Sequence, residues 1–158
     1  MADATQSPGE GGLGTGRDEV QFRFRDDAMA DHGSVTVDSF VAAGGGAAVR
    51  IEPGDDAREL LPLLAKLKLV EVNFPSFGDG RGYSAARILR EAGYTGELRA
   101  VGDVLVDQIA YMRRCGFDAF APDHPLDEAD VEAALARFPH VYQPAADQAR
   151  PIWSLRHQ

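Results

Sequence analysis

Cysteine is nearly absent from this chain. Cys115 is the only one in 158 residues, so an intramolecular disulfide cannot form. Long apolar runs are missing as well, and no stretch approaches the roughly 20 residues that span a bilayer. Residues 1–16 have neither the basic start nor the apolar stretch of a secretory signal, which leaves the cytoplasm as the expected compartment. Positive charge is in deficit. Sixteen Lys and Arg face 25 Asp and Glu, a net charge of −9. Such a balance keeps a protein soluble and argues against non-specific binding to nucleic acid or anionic membranes. His32, His124, His140 and His157 are scattered, and no His, Cys or carboxylate spacing suggests a metal site. Nucleophile elbows, Rossmann fingerprints and Walker loops are also absent, so no cofactor is encoded by a recognisable motif.

What is present fits one domain. The length and a 44% hydrophobic fraction suit a single core. Residues 1–17, rich in Gly, Ser, Pro and Thr, read as a disordered tail, residues 18–143 as one α/β domain, and residues 144–158 as a C-terminal tail. Short β-prone pieces are expected at 20–24 and 34–37, with a helical turn over 38–43. From residue 48 the pattern becomes regular. Strands are predicted at 48–51, 69–74, 97–101 and 117–120. A helix capped by Asp55 or Asp56 follows the first strand, with Pro62 inside it to kink or shorten it. Further helices are expected at 84–92, at 104–115 with Asp103 as N-cap, and after Asp127, the last one burying Val131, Leu135 and Phe138.

Short connections make the four strands parallel with right-handed crossovers. Their composition separates two architectures. Strands buried on both faces read as continuous apolar runs, whereas here Val70, Val72 and Phe74 alternate with Glu71 and Asn73, and Leu98 and Ala100 with Glu97 and Arg99. The expected fold is therefore α/β, a four-strand parallel βα repeat with helices mainly on one face, like part of a barrel. The other face would be polar.

In such folds ligands gather at the C-terminal ends of the strands. The loop FPSFGDGRGYS, residues 74–84, brings Asp79, Arg81, Tyr83 and Ser84 to a helix start, where free N–H groups and the dipole suit an oxyanion and Arg81 could grip it bidentately. From spacing alone the plainer reading is that Asp79 and Ser84 cap the helix while Arg81 pairs with Asp79. The neighbouring loop GDVLVDQ, residues 102–108, offers Asp103 as a candidate general base, with Asp107 and Gln108 beside it. Asp103 as a cap and Asp107 as a first-turn acid are the plainer alternatives. Arg99, mid-strand, needs an acid such as Glu71 or Asp118, or an anionic ligand. Arg113 and Arg114 end a helix and read as a solvated face, and Cys115 as inert packing.

Residues 73–120 resemble the bacterial domain-of-unknown-function family 934. The likeness is carried by FGDGRGYS (77–84), Leu89–Arg90, GYTGELRAVGDVL (93–105), Asp107–Gln108, RCGFDAF (114–120) and VYQ (141–143). Members are described as oxidoreductases of sulfite reduction, chiefly because their genes lie beside those of sulfate-assimilation enzymes. The resemblance thus implies a place in assimilatory sulfite reduction, with sulfite reductase or another sulfate-assimilation enzyme as partner, and leaves a homo-oligomer open. It carries over no catalytic residue. A sulfite reductase needs an iron–sulfur cluster, normally on four thiolates, which one cysteine cannot supply. Three readings stand: an accessory protein binding a partner or a sulfur oxyanion, a small enzyme with an oxyanion site at the rim, or a structural subunit without ligand.

Overall fold

The structure, a computed structural model, describes residues 19–30 and 32–155. The expected tail over 1–17 and His157 lie outside the described residues. Six strands form one mostly parallel sheet: β1 (Phe22–Arg23), β2 (Val35–Thr36), β3 (Ala48–Ile51), β4 (Leu69–Phe74), β5 (Glu97–Gly102) and β6 (Ala119–Pro122). Their order is β1-β6-β5-β4-β3-β2, with only β1 antiparallel. The sheet does not close, because β1 and β2 are its edges. The regular part of the chain supplies the four central strands as expected. The two-residue edge strands raise the count from four to six.

Four α-helices, α1 (Val37–Ala42), α2 (Arg81–Glu91), α3 (Ile109–Cys115) and α4 (Glu128–Ala136), are joined by a 3₁₀ helix over Ala57–Lys66 and a short one over Val106–Gln108. Consecutive helical segments touch one another in chain order. Their apolar sides share one core with alternate strand residues, among them Val49, Val70, Val72, Leu98, Ala100 and Phe120. Gly82 sets how closely α2 approaches the sheet. A Cβ there would lie 2.6 Å from the Phe74 ring and 2.8 Å from Val72 Cγ1.

Several local readings change. Asp56 caps the segment after β3 as predicted, but the segment is 3₁₀ throughout. Pro62 removes an N–H that an α-helix would need. The helix expected over 104–115 begins late. Leu105 stays extended and Gln108 caps it, while the Asp103 carboxylate is engaged elsewhere. β6 starts two residues after its predicted position. Asp127 does cap α4, accepting from Ala129 and Asp130 N–H. That helix stops at Ala136, so Phe138 lies beyond it and is exposed.

The polar sheet face is not an open one. Glu97 (2% exposed), Glu71 and Arg99 are buried on it. Arg99 donates to Glu97 Oε1 from Nε at 2.9 Å and Nη2 at 2.6 Å, and to Glu71 Oε1 at 3.3 Å. Arg50 and Arg23 hold the other oxygens of Glu71 and Glu97, at 3.1 and 2.8 Å. Arg50, Glu71 and Arg99 stand in register across β3, β4 and β5. Because β1 and β2 sit at opposite edges, the chain between them passes from one edge to the other. On the way the Ala30 carbonyl accepts from Arg99 Nη2 at 3.3 Å. Of the two acids expected for Arg99, Glu71 is a partner and Asp118 is not.

Removing one member of a buried charge network strands the rest, at a cost of about 3–5 kcal/mol. Glu97→Ala is expected to lower unfolding stability by about that amount in urea titration, whereas Glu91→Ala, on the exposed side of α2, changes it by less than about 0.5 kcal/mol.

Candidate functional site

Adjacent parallel strands put the loops after β4 and β5 side by side, with Phe74 opposite Gly102 in register. Gly102 has φ +93°, and a Cβ on it would sit 2.4 Å from the Phe74 carbonyl, so only glycine allows this approach. The next residue seals the junction, Asp103 N–H donating to the Phe74 carbonyl at 2.7 Å.

The two loops then lock through the backbone of one residue. The Asp103 carboxylate accepts from Phe77 N–H at 2.9 Å, and Gln108 Nε2 donates to the Phe77 carbonyl at 2.8 Å. Gln108 Oε1 also accepts from Leu105 N–H at 3.0 Å, which fixes its own orientation. Phe77 is thus held at both its N–H and its carbonyl, yet the residue is 53% exposed. The sequence reading missed Phe77, although it opens the FGDGRGYS motif.

The remaining candidates are placed as follows. Arg81 forms a two-point pair with Asp79, Nε to Oδ1 at 3.0 Å and Nη2 to Oδ2 at 2.6 Å, and its backbone N–H donates to the same carboxylate at 3.1 Å. The guanidinium and that N–H together pull the Asp79 carboxyl down to about 2, and the carboxylate pushes Arg81 up. The Arg81 side chain is 66% exposed. Ser84 is exposed within α2 and does not cap it; Gly80 is the N-cap and makes no side-chain capping bond. Tyr83 turns towards the helix layer, with ring centres 5.4 Å from Phe74 and 5.3 Å from Tyr111. Burial pushes its phenol up to about 12. Asp107 is exposed and meets Arg137 at 3.4 Å. Arg99 belongs to the buried network on the sheet face. The rim therefore joins Asp103 and Gln108 on Phe77, and Asp79 with Arg81, as two separate sets of bonds.

The opposite end of the strands is also well tied. Asp118 accepts from Arg25 at 2.8 Å, from Arg90 at 2.9 Å and from Leu98 N–H at 2.8 Å. Arg113 and Arg114 are not a solvated face. Arg113 lies 3.7 Å over the Phe24 ring, and Arg114 pairs with Asp147 at 2.9 Å, docking the C-terminal segment. Cys115 is buried, and burial raises its thiol. Among the described residues no group of His, Cys, Asp and Glu could hold a metal ion, and no helix is long and apolar enough to cross a membrane.

A family model described as "Bacterial protein of unknown function (DUF934)" matches residues 48–153. No curated protein and no solved structure matches the chain.

Two outcomes test this geometry. Asp103→Ala removes the acceptor of Phe77 N–H, so hydrogen exchange at that amide is expected to speed up at least about tenfold, with a global stability loss of about 1 kcal/mol. For Tyr83, the unfolded phenol ionises near 10 and the folded one near 12. Between those values the folded state holds the extra proton, so stability falls as pH rises from 10 to 12. Phenolate absorbance titration of Tyr83→Phe should lose a late-ionising tyrosine, and the variant's stability should fall less over that interval.

Proposed function

We propose that this chain, which belongs to the bacterial family of unknown function DUF934, is an accessory protein of assimilatory sulfite reduction. It docks on a partner enzyme through the rim built around Phe77, with sulfite reductase the first candidate. The observation that carries the docking role is the gripped backbone and exposed ring of Phe77. A large aromatic on a fixed backbone loses little freedom on binding and fills a partner's pocket, which is how interface anchors work. The net charge of −9 on the chain would favour encounter with a basic partner surface. The pathway rests on the resemblance of residues 73–120 to proteins described by their link to sulfite reduction.

A second reading uses the same rim as a sulfur-oxyanion site, in a carrier or a small enzyme with Asp103 as base. What favours it is the start of α2, where the exposed Arg81 guanidinium and its own N–H already hold a carboxylate, that of Asp79. The anion would take the place that the Asp79 carboxylate holds on Arg81.

Co-purification with sulfite reductase tests the first reading. Wild type is expected to retain the enzyme at physiological salt and Phe77→Ala to lose at least about tenfold in affinity. No retention by wild type contradicts the docking role. Deletion of the gene places the step: growth rescued by sulfide but not by sulfite supports the pathway, and normal growth on sulfate contradicts it. Calorimetry with sulfite and sulfate tests the second reading, and absence of heat at about 1 mM ligand ends it for that anion.

A further inference from the structure

We propose that a cleft at the N-terminal end of the strands, away from the rim, binds a phosphate-type oxyanion through Arg113. The cleft is an open one of about 640 Å³ between the chain after β1, the turn from α2 to β5, the end of α3 and the docked C-terminal segment. Three guanidiniums and two carboxylates line it. What matters is which of them have hydrogen-bonding capacity left.

Arg90 is largely committed, with four of its five N–H groups taken. It donates to the carbonyls of Gly116, Tyr94 and Gly96 and to Asp118, at 2.8–2.9 Å. Arg25 is committed to Asp27, Asp118 and the Thr95 carbonyl. Of the acids, Asp118 is shared by both guanidiniums and Leu98 N–H, and Asp147 is held by Arg114 and Ala149 N–H. Arg113 differs. Its guanidinium stacks 3.7 Å over Phe24, and among the described residues its N–H groups meet no acceptor. Stacking uses the face of a guanidinium and leaves the donors on its edge free. The ring thus fixes a half-buried cation in place without occupying the fork that takes two oxygens of an oxyanion. Its carboxylate neighbours are already neutralised, so they do not compete for it. The volume exceeds what one oxyanion needs and falls in the range of small-molecule sites, so the cleft admits the group either free or carried on a small organic body.

Calorimetric titration of the full chain with inorganic phosphate and with AMP distinguishes the two sources. At least one is expected to bind with Kd at or below about 1 mM. Equal affinities identify a free oxyanion, and tighter AMP binding a carried one. Arg113→Gln, shown to be folded by thermal melting, should weaken binding at least about tenfold. Should that variant not fold, Arg113→Lys, which keeps the charge and loses the fork, takes its place with the same expected loss. Arg58→Gln, exposed and outside both the cleft and the rim, should leave binding unchanged, and because the docking role is read by co-purification, failure here is separable from failure there. No binding of either probe at about 10 mM, or unweakened binding by the Arg113 variant, overturns the site.

Discussion

The Arg99 guanidinium is the constraint on which the sheet depends. It lies in the middle of β5, buried, with Glu97 and Glu71 as its acids and the Ala30 carbonyl above it. A buried charge network adds little stability over apolar packing, but it punishes misalignment. Arg50, Glu71 and Arg99 face one another across three neighbouring strands. A slip of one residue would turn a charged side chain into the apolar core and break the pairing at once. The network also anchors the N-terminal chain, through Arg23 of β1 on Glu97 and the Ala30 carbonyl on Arg99.

Once β4 and β5 are in register, the rim is largely determined. Their C-terminal loops must run side by side, and the Gly102 conformation lets the second loop turn hard against Phe74. Asp103 and Gln108 then reach one residue of the first loop and hold its N–H and its carbonyl. The polar groups that made this loop pair look like a site are thereby engaged within the chain. What remains displayed is an aromatic ring, together with an acid–guanidinium pair that only a competing anion would open. A docking surface needs such satisfied polar groups around an exposed anchor, whereas an acid–base site needs groups free to meet a substrate.

The central α/β alternation was legible because β3 to β6 and their helices carry strong periodicity and ordinary caps, Asp56 and Asp127 among them. Charge alternation along β4 and β5 correctly set one apolar strand face against one charged face. It named Glu71 as an acid for Arg99, but it did not reveal the segment that crosses over the pair, since Arg23 and Ala30 are far from Arg99 in sequence. Two-residue strands such as β1 and β2 carry too little pattern to be counted. Asp103 looked like a cap because it precedes an apolar helical run; its carboxylate instead satisfies an N–H 26 residues earlier in the chain. Phe77 was overlooked because an aromatic is ordinarily read as core, and only its exposure marks it. Arg113 and Arg114 fit the helix dipole on paper, but their real partners, Phe24 and Asp147, come from the two ends of the chain.

The central claim is that the Phe77 rim is the surface a sulfite-reduction enzyme covers. Hydrogen–deuterium exchange of the chain alone and with purified sulfite reductase tests it most directly. The account predicts slowed exchange concentrated in residues 74–84 and 102–108, with the buried strands unchanged. Slowed exchange confined to α4 or the C-terminal segment, or no change anywhere at saturating partner, would contradict it.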